Sequence, residues 1–232
     1  MISESILKES IYDARYFNET HNLLRIDNEL NSQNNTLLFV NFTSNGTFIN
    51  IDNKILKDSQ NIYQRENRQA GRISFRRDCD GICLLEVNGR KILLVIEVKS
   101  GFNEIKNKGF EQLVASYVKI RSILQSIDGY NPEDYEEYGL LISYPQTGVK
   151  TVGFTSMIAN KSAIVAPSSL DHLNNENYVK LSVDGEVSLD LLRYKVDSCH
   201  VNPALYNSQL HVKHIPATNL ASSETINLDS YI

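Results

Sequence analysis

The pattern of apolar and polar positions is clearest in the middle of the chain. Over 110–127, apolar side chains recur every three or four positions, which predicts an amphipathic helix. Before it, apolar runs at 82–87 and 91–98 are separated by Asn88-Gly89, a dipeptide typical of a two-residue hairpin turn. After it, the apolar run at 139–144 predicts a buried strand. This order predicts a mixed sheet in which the helix crosses between parallel strands.

The N-terminal third shows weaker patterns. Apolar residues at helical spacing over 3–17 predict an N-terminal amphipathic helix. The β-prone runs at 36–42 and 47–51 flank Ser44-Asn45-Gly46, which is a turn signal. We therefore expect a β-hairpin in this part of the chain.

The C-terminal third predicts further strands. Short β-prone runs occur at 149–154 and 163–166, and a second hairpin is expected over 178–191 around Asp184-Gly185. The tail beyond residue 215 is rich in Ser, Thr and Asn, so we expect part of it to be loose.

The pattern as a whole fits one α/β domain, with a mixed central sheet flanked by helices and extra C-terminal strands. We expect the core over about 70–145, since the strongest patterns lie there. The N-terminal helix and hairpin then occupy 1–64, and a C-terminal extension occupies 146–232.

Composition narrows the class of protein. The chain of 232 residues has 23 Lys and Arg against 28 Asp and Glu, so nucleic-acid binding requires a local basic patch. Three cysteines argue against a disulfide framework and for a reducing compartment. The N-terminus is polar, and the sequence contains no apolar run of about 18 residues. These features predict a cytoplasmic protein with no membrane partner.

The central hairpin brings charged side chains together. Across a two-residue turn at 88 and 89, the numbers of facing residues sum to 177, which pairs Glu86 with Lys91 and Asp80 with Glu97. Lys99 shares the face of Glu97 because side chains alternate along a strand. A three-residue loop or a bulge would instead set Asp80 opposite Val98.

Two carboxylates at this separation raise the pKa of one another unless a cation lies between them. Hard oxygen ligands of this kind suit Mg²⁺, and Mn²⁺ can substitute for it. The register therefore predicts a divalent metal site at Asp80 and Glu97. The structural alternative is a solvated strand end with an ordinary exposed ion pair.

These residues also resemble a known family. Asp80 is followed after sixteen residues by Glu97-Val98-Lys99, an amphipathic helix and an apolar strand. This arrangement, over about 75–145, resembles the PD-(D/E)XK nuclease superfamily with its restriction-endonuclease-like αβββαβ core. The resemblance implies that Asp80 and Glu97 bind the metal and that Lys99 activates water or stabilises the phosphate. Cys79 stands where the family pattern often has proline.

The resemblance implies further site residues. Gln112 resembles the glutamine on the following helix that supports the catalytic centre in several branches of the superfamily. Asp78 is an alternative first ligand. An additional acidic ligand from upstream is common in the family, and the residues available for it are Glu4, Glu9, Glu19 and Glu66.

Two other clusters suggest binding chemistry. The densest positive stretch lies just upstream of Asp80 and predicts contacts to nucleic-acid phosphates, the alternative being a solvated helix with ion pairs. Its members are Arg65, Arg68, Arg72, Arg76 and Arg77, and Lys106, Lys108 and Lys119 would extend this patch. Zinc is a further option in the C-terminal part, although the spacing matches no common zinc finger. Its ligands would be Cys199, His200, His211 and His214.

The functional hypothesis is a Mg²⁺-dependent nuclease that cuts phosphodiesters and leaves 5′-phosphate ends. By analogy with the family, the substrate is double-stranded DNA, the role is restriction or anti-phage defence, and the chain works as a homodimer. Two alternatives stay open at this point. One is a catalytically silent module that binds nucleic acid or protein, and the other is a nuclease that acts on RNA.

Overall fold

The computed structural model describes residues 2–11, 14–27, 39–59, 77–144, 170–194, 204, 207–217 and 223–232. It is an α/β structure built on a mixed eight-stranded sheet. The strands are β1 Phe17–Asp27, β2 Phe39–Ile51, β3 Gly81–Val87, β4 Arg90–Lys99, β5 Tyr135–Ser143, β6 Glu186–Asp190, β7 Gln209–Pro216 and β8 Ser223–Asn227. The helices are α1 Glu4–Ser10, α2 Lys54–Ser59, α3 Phe102–Glu104, α4 Phe110–Leu124 and α5 Leu170–Asp184.

The strands are ordered β1-β2-β3-β4-β5-β7-β6, and β8 pairs with β2. Two hydrophobic clusters pack on the opposite faces of the sheet. One contains Leu93, Val95 and the apolar side of α4, and the other contains Leu94 and Ile96. The predicted α/β class with a mixed sheet flanked by helices is confirmed. Among the described residues, no helix combines the length and apolarity needed to cross a membrane.

The central hairpin has the predicted register. Seven pairs run from Val87–Arg90 at the turn to Gly81–Ile96 at the far end. Asn88 and Gly89 both have positive φ, 54° and 76°, as a tight turn between twisted strands requires. The two-residue loop is therefore confirmed.

The predicted crossover is also confirmed. β5 runs parallel to β4, and α4 lies between them in the chain. The helical path begins before α4, with α3 and a π-helical segment, Ile105–Gly109, directly after β4. This short connection brings the carboxyl end of β4 against the start of the helix.

The N-terminal predictions need correction. The helix covers only Glu4–Ser10, and Phe17 already belongs to β1. The expected hairpin around Ser44-Asn45-Gly46 is one continuous strand, β2. Gly46 serves close packing rather than a turn, because a Cβ there would lie 2.2 Å from the Glu86 carbonyl oxygen.

The C-terminal hairpin prediction is wrong as well. Residues 178–183 belong to α5, and only the part after Gly185 forms a strand, β6. Gly185 has φ 75° and its N–H donates to the Leu181 carbonyl at 3.0 Å, so it ends a helix. Gly185 therefore has a positive φ of the kind that hairpin turns use, but here it ends a helix.

The described C-terminal residues form two strands that join the sheet. β7 pairs parallel with β5, and β8 pairs parallel with the first half of β2. The strands expected at 149–154 and 163–166 lie outside the described residues.

Candidate active site

Glu97 and Lys99 lie at the carboxyl end of β4, on the face that packs against α4. They alternate with Val98 and follow Leu93 and Val95, which belong to the cluster on that face. Glu97 is 0% exposed and Lys99 is 6% exposed. The Lys99 ammonium forms an ion pair and hydrogen bond with Oε1 of Glu97. An acid and a base are thus buried together at the end of a central strand.

Asp80 completes the cluster from the neighbouring strand. The regular ladder ends at Gly81–Ile96, one pair short of Asp80, where the chain bends. The Asp80 N–H donates to the Ile96 carbonyl at 3.0 Å, and its Oδ2 accepts the Val98 N–H at 2.8 Å. These bonds hold the Asp80 carboxylate beside β4 at Val98, the residue between Glu97 and Lys99.

The pKa of Glu97 reflects both its burial and the neighbouring Asp80. Burial raises the pKa of Glu97 well above its ordinary value, and the negative charge of Asp80 raises it further, while Lys99 lowers it. A single lysine does not offset the combined effect of burial and a second carboxylate. A divalent cation between the acids would remove this penalty.

The chain segment that carries Asp80 is held by side chains on both sides. The Cys79 N–H donates to Ser116 Oγ at 2.7 Å, and the Cys79 carbonyl accepts from Asn53 Nδ2 at 2.7 Å. Ser116 belongs to α4, and Asn53 precedes α2. Side chains from α4 and from the residue before α2 therefore fix the position of Cys79 by hydrogen bonds.

Two further residues of α4 bind the chain just before Cys79. Gln112 Nε2 donates to the Asp78 carbonyl at 2.9 Å. Lys119 Nζ donates to the Arg77 carbonyl at 2.9 Å and forms an ion pair with the Asp78 carboxylate. Gln112 thus supports the residues leading to Asp80 through the backbone, and Asp78, the alternative ligand, is paired with a lysine.

Sequence reasoning did not identify Ser116 or Asn53, and it placed Lys119 on a surface patch. Lys119 is 0% exposed, so that placement is wrong: its ammonium is buried against Asp78. The available signal was the spacing on α4, because positions 112, 116 and 119 fall on one helical face. Three polar residues on one face of a largely buried helix indicate buried polar partners.

The site residues fit a magnesium ion. Among the described residues, Oε2 of Glu97 is a buried carboxylate oxygen with no hydrogen-bond partner. A bound cation would give this oxygen a partner. Within the same described part of the chain, no group of three or more His, Cys, Asp or Glu side chains is arranged to hold a metal. Mg²⁺ commonly uses one or two carboxylates and completes its shell with water and substrate phosphate. Asp80 and Glu97 meet that requirement.

The other predicted site residues are placed as follows. Arg77 Nε lies 2.8 Å from Oε2 of the buried Glu111, so its guanidinium is engaged in an ion pair. Glu4 pairs with Lys8 and accepts the Glu19 N–H. Arg65, Glu66, Arg68, Arg72 and Arg76 lie outside the described residues.

The structure does not bring the two described zinc candidates together. His211 and His214 are three residues apart on β7 and so face opposite sides of the sheet. His214 contacts Ser143 Oγ at 3.0 Å and Phe102. Cys199 and His200 fall in the part of the chain that is not described.

We compared the chain with family models, with curated proteins and with solved structures, and none of the three comparisons gave a match. The fold and the site therefore define the class of structure only: an α/β protein whose central hairpin carries two acids and a lysine at one end of a mixed sheet.

Proposed function

We propose that this protein is a metal-dependent nuclease with a restriction-endonuclease-like core. The observation that carries the proposal is the state of Glu97. It is fully buried, one of its oxygens has no hydrogen-bond partner among the described residues, and a second carboxylate, that of Asp80, raises its pKa. A protein retains such an arrangement at a cost in stability, and functional sites are where such costs are commonly found.

The topology around the site supports the same proposal. β2, β3 and β4 form an antiparallel series, α4 crosses over, and β5 adds parallel to β4. Apart from the additional strand β1 and the short helix α2 between β2 and β3, this order is similar to that of an αβββαβ core. The topology supports the proposal by analogy only, and the site residues carry the chemistry.

The proposed reaction is hydrolysis of a phosphodiester. A divalent ion at Asp80 and Glu97 would supply Lewis acidity, which favours deprotonation of water and offsets phosphate charge. The water oxygen bonds to phosphorus as the P–O3′ bond breaks, one water proton passes to the leaving oxygen and the other to solvent, and the product has a 5′-phosphate. Lys99, whose buried ammonium is paired with Glu97, stabilises the negative charge that grows on the phosphoryl oxygens.

We further propose that Mg²⁺ is the natural ion, with Mn²⁺ as a substitute, and that the substrate is double-stranded DNA cut during restriction or anti-phage defence. One site in each chain must cut two strands, which favours a homodimer with two-fold symmetry. These finer points extend the family analogy, and a cytoplasmic location follows from the same role.

Cleavage assays test the proposal. Purified protein is incubated with supercoiled plasmid, linear duplex DNA and structured RNA, in Mg²⁺ and in EDTA. We expect cutting that requires the metal and is lost in Glu97→Gln. Glu86→Gln, which removes an acid near the hairpin turn, is the matched control and should cut like the parent.

Two outcomes would contradict the proposal. Cutting by Glu97→Gln at the parent rate would show that a contaminating nuclease or another site is responsible. No cutting of any substrate, together with metal-independent nucleic-acid binding, would instead identify a catalytically silent binding module. Preference for the RNA substrate would retain the chemistry and change the substrate class.

A further inference from the structure

A cleft opens beside Asp80. It encloses about 330 Å³ and lies between the end of β1 and the beginning of α2. Asp80 and Gly81 form part of its lining, so the cleft leads directly to one of the two site carboxylates. Any ligand lying in this cleft is adjacent to the proposed reaction centre.

The shape of the cleft depends on a bend in the long β1–β2 hairpin. The end of β1 folds over the second face of the sheet, where Ile26 joins the cluster that contains Leu94 and Ile96. Ile26 packs directly on Gly81: a Cβ at this glycine would lie 2.4 Å from Ile26 Cδ1. Absence of a side chain at 81 therefore lets the end of β1 approach the start of the catalytic hairpin.

The cleft contains three cations and three acids. The cations are Arg25, Lys54 and Lys57, and the acids are Asp27, Asp52 and Asp80. Two of the acids are already engaged locally. Asp27 pairs with Arg25 at 2.8 Å, and Asp52 Oδ1 accepts the Lys54 N–H at 2.8 Å.

Lys54 and Lys57 are exposed and three residues apart on α2, so they share one side of that helix. Their position relative to the site is fixed, because the neighbouring Asn53 is hydrogen-bonded to the Cys79 carbonyl. Two exposed lysines on a helix that is anchored beside a reaction centre suit a ligand with repeated negative charges.

We infer that this cleft binds the sugar-phosphate backbone of a nucleic-acid strand, with Lys54 and Lys57 contacting phosphates next to the one at Asp80. The inference rests on the proposed nuclease function and names the surface along which its substrate lies. It is independent of the arginine-rich stretch upstream of Asp80. The shared chemistry of DNA and RNA backbones makes the class of ligand a polyanionic phosphodiester strand.

Binding without cleavage tests the inference. Fluorescence anisotropy in EDTA compares a labelled DNA duplex and an RNA duplex of the same sequence. The test variant is Lys54→Gln/Lys57→Gln, and the matched control is Lys8→Gln/Lys180→Gln, which removes two positive charges from α1 and α5. Thermal melting of each variant checks that the fold is retained.

We expect the cleft variant to bind about tenfold more weakly at moderate salt, with a log–log salt slope smaller by about 2 for duplex DNA, because two phosphate contacts are lost. The control should stay within about twofold of the parent, since a change in net charge alone has a small effect. The backbone with the larger loss, DNA or RNA, is the one that the cleft accepts. Binding by the cleft variant equal to that of parent and control would overturn the inference.

Cleavage by the parent in Mg²⁺ separates the two proposals. If the parent cuts and the cleft variant binds normally, the nuclease function stands and the cleft assignment fails. If the parent does not cut and the cleft variant loses binding, the nuclease function fails and the cleft assignment stands.

Discussion

Two buried acid–base pairs lie on the same face of the sheet, at opposite ends of its central strands. Glu97 and Lys99 are at the carboxyl end of β4, and Glu137 on β5 pairs with Arg121 of α4 at the other end. Glu137 and Arg121 both have side chains only 3% exposed. The two sites have similar burial and similar residue types, but their surroundings differ.

The Glu137 site supplies several partners to its acid. Arg121 Nε lies 2.5 Å from Oε1 of Glu137, Asn207 Nδ2 donates to Oε2 at 2.6 Å, and the Tyr117 hydroxyl donates to the same oxygen. Burial raises the pKa of Glu137, and all three partners lower it. Oε1 of Glu137 also lacks a partner with hydrogen-bond geometry among the described residues, but the Arg121 guanidinium lies at ion-pair distance from it. A cation or a donor therefore lies beside each Glu137 oxygen, which is how a structural ion pair is stabilised.

The Glu97 site is built differently. Lys99 contacts one oxygen, the other has no hydrogen-bond partner among the described residues, and Asp80 adds a second negative charge. The comparison teaches that burial of an acid does not by itself indicate function. The indication comes from a buried acid whose electrostatic requirement is left incomplete beside a second acid.

The largest expected effect comes from making the same Glu→Gln substitution at each of the two sites. Glu97→Gln should lower the rate of phosphodiester cleavage at least about 100-fold, because a metal ligand is lost. It should change stability little, because burial and Asp80 already raise the pKa of Glu97 and so disfavour its charged form. Glu137→Gln should destabilise the fold by about 3 kcal/mol, because Arg121 is left buried without its counterion. Plasmid cleavage and urea unfolding measure the two effects. Equal destabilisation by both substitutions would remove the distinction between the sites.

The next effect is stabilisation by the metal itself. Mg²⁺ at about 100 times its dissociation constant should raise the free energy of unfolding by about 2.7 kcal/mol. Thermal unfolding with and without Mg²⁺ measures this shift in the parent and in Glu137→Gln, and we expect none in Glu97→Gln. A shift of the same size in Glu97→Gln would place the metal elsewhere.

A smaller effect concerns the hydrogen bond between Ser116 and the segment that carries Asp80. Ser116→Ala leaves the Cys79 N–H without its acceptor in the protein interior, which should cost about 2 kcal/mol of stability. It should also lower the cleavage rate in Mg²⁺, because Asp80 follows Cys79 directly. Ser122→Ala is the control, since Ser122 Oγ only donates within its own helix to the Val118 carbonyl. Urea unfolding and cleavage kinetics that fail to distinguish the two alanine variants would argue against a positioning role for Ser116.

The smallest effect is a pH dependence of stability. Burial lowers the pKa of His214 to about 4, below its ordinary value of 6.5. The unfolded chain then binds more protons than the folded chain between these values, so stability should fall as the pH drops from about 6.5 towards about 4. His214→Gln should lose part of this slope while keeping a polar group near Ser143. Urea unfolding across this pH range measures the slope, and an unchanged slope in the variant would assign the acid sensitivity to other groups.

The local rules predicted the central hairpin because they agreed with each other there. The Asn88-Gly89 turn, the alternating runs and the Glu86–Lys91 pair all specify one register, and that register is observed. The approach of Asp80 to Glu97 followed from it, although the ladder ends at Gly81 and Asp80 reaches β4 through a bend.

Similar signals failed elsewhere because glycine has more than one use. Gly185 has the positive φ of a turn, but it ends α5. Gly46 lies within β2, where the reason for glycine is the nearby backbone of β3. A dipeptide pattern shows that glycine is present, but it does not show whether a positive φ or a close neighbour requires it.

The polar supports of the site could not be predicted from local patterns. Ser116 and Asn53 lie 37 and 26 residues from Cys79, so their roles depend on tertiary contacts. The same is true of the proposed phosphate cleft, since Arg25 meets Lys54 and Asp80 only after the β1–β2 hairpin bends over the sheet. Sequence patterns gave the acids and the lysine, whereas the fold supplies the residues around them.

Direct measurement of metal binding is the sharpest test of the claim that Glu97, and not Glu137, belongs to a cation site. Titration with Mn²⁺, a substitute for Mg²⁺ at oxygen ligands, can be followed by the electron paramagnetic resonance signal of the free ion. We expect the signal of free Mn²⁺ to fall on adding the parent or Glu137→Gln, and to stay unchanged on adding folded Glu97→Gln. Mn²⁺ binding by Glu97→Gln with the affinity of the parent would contradict it.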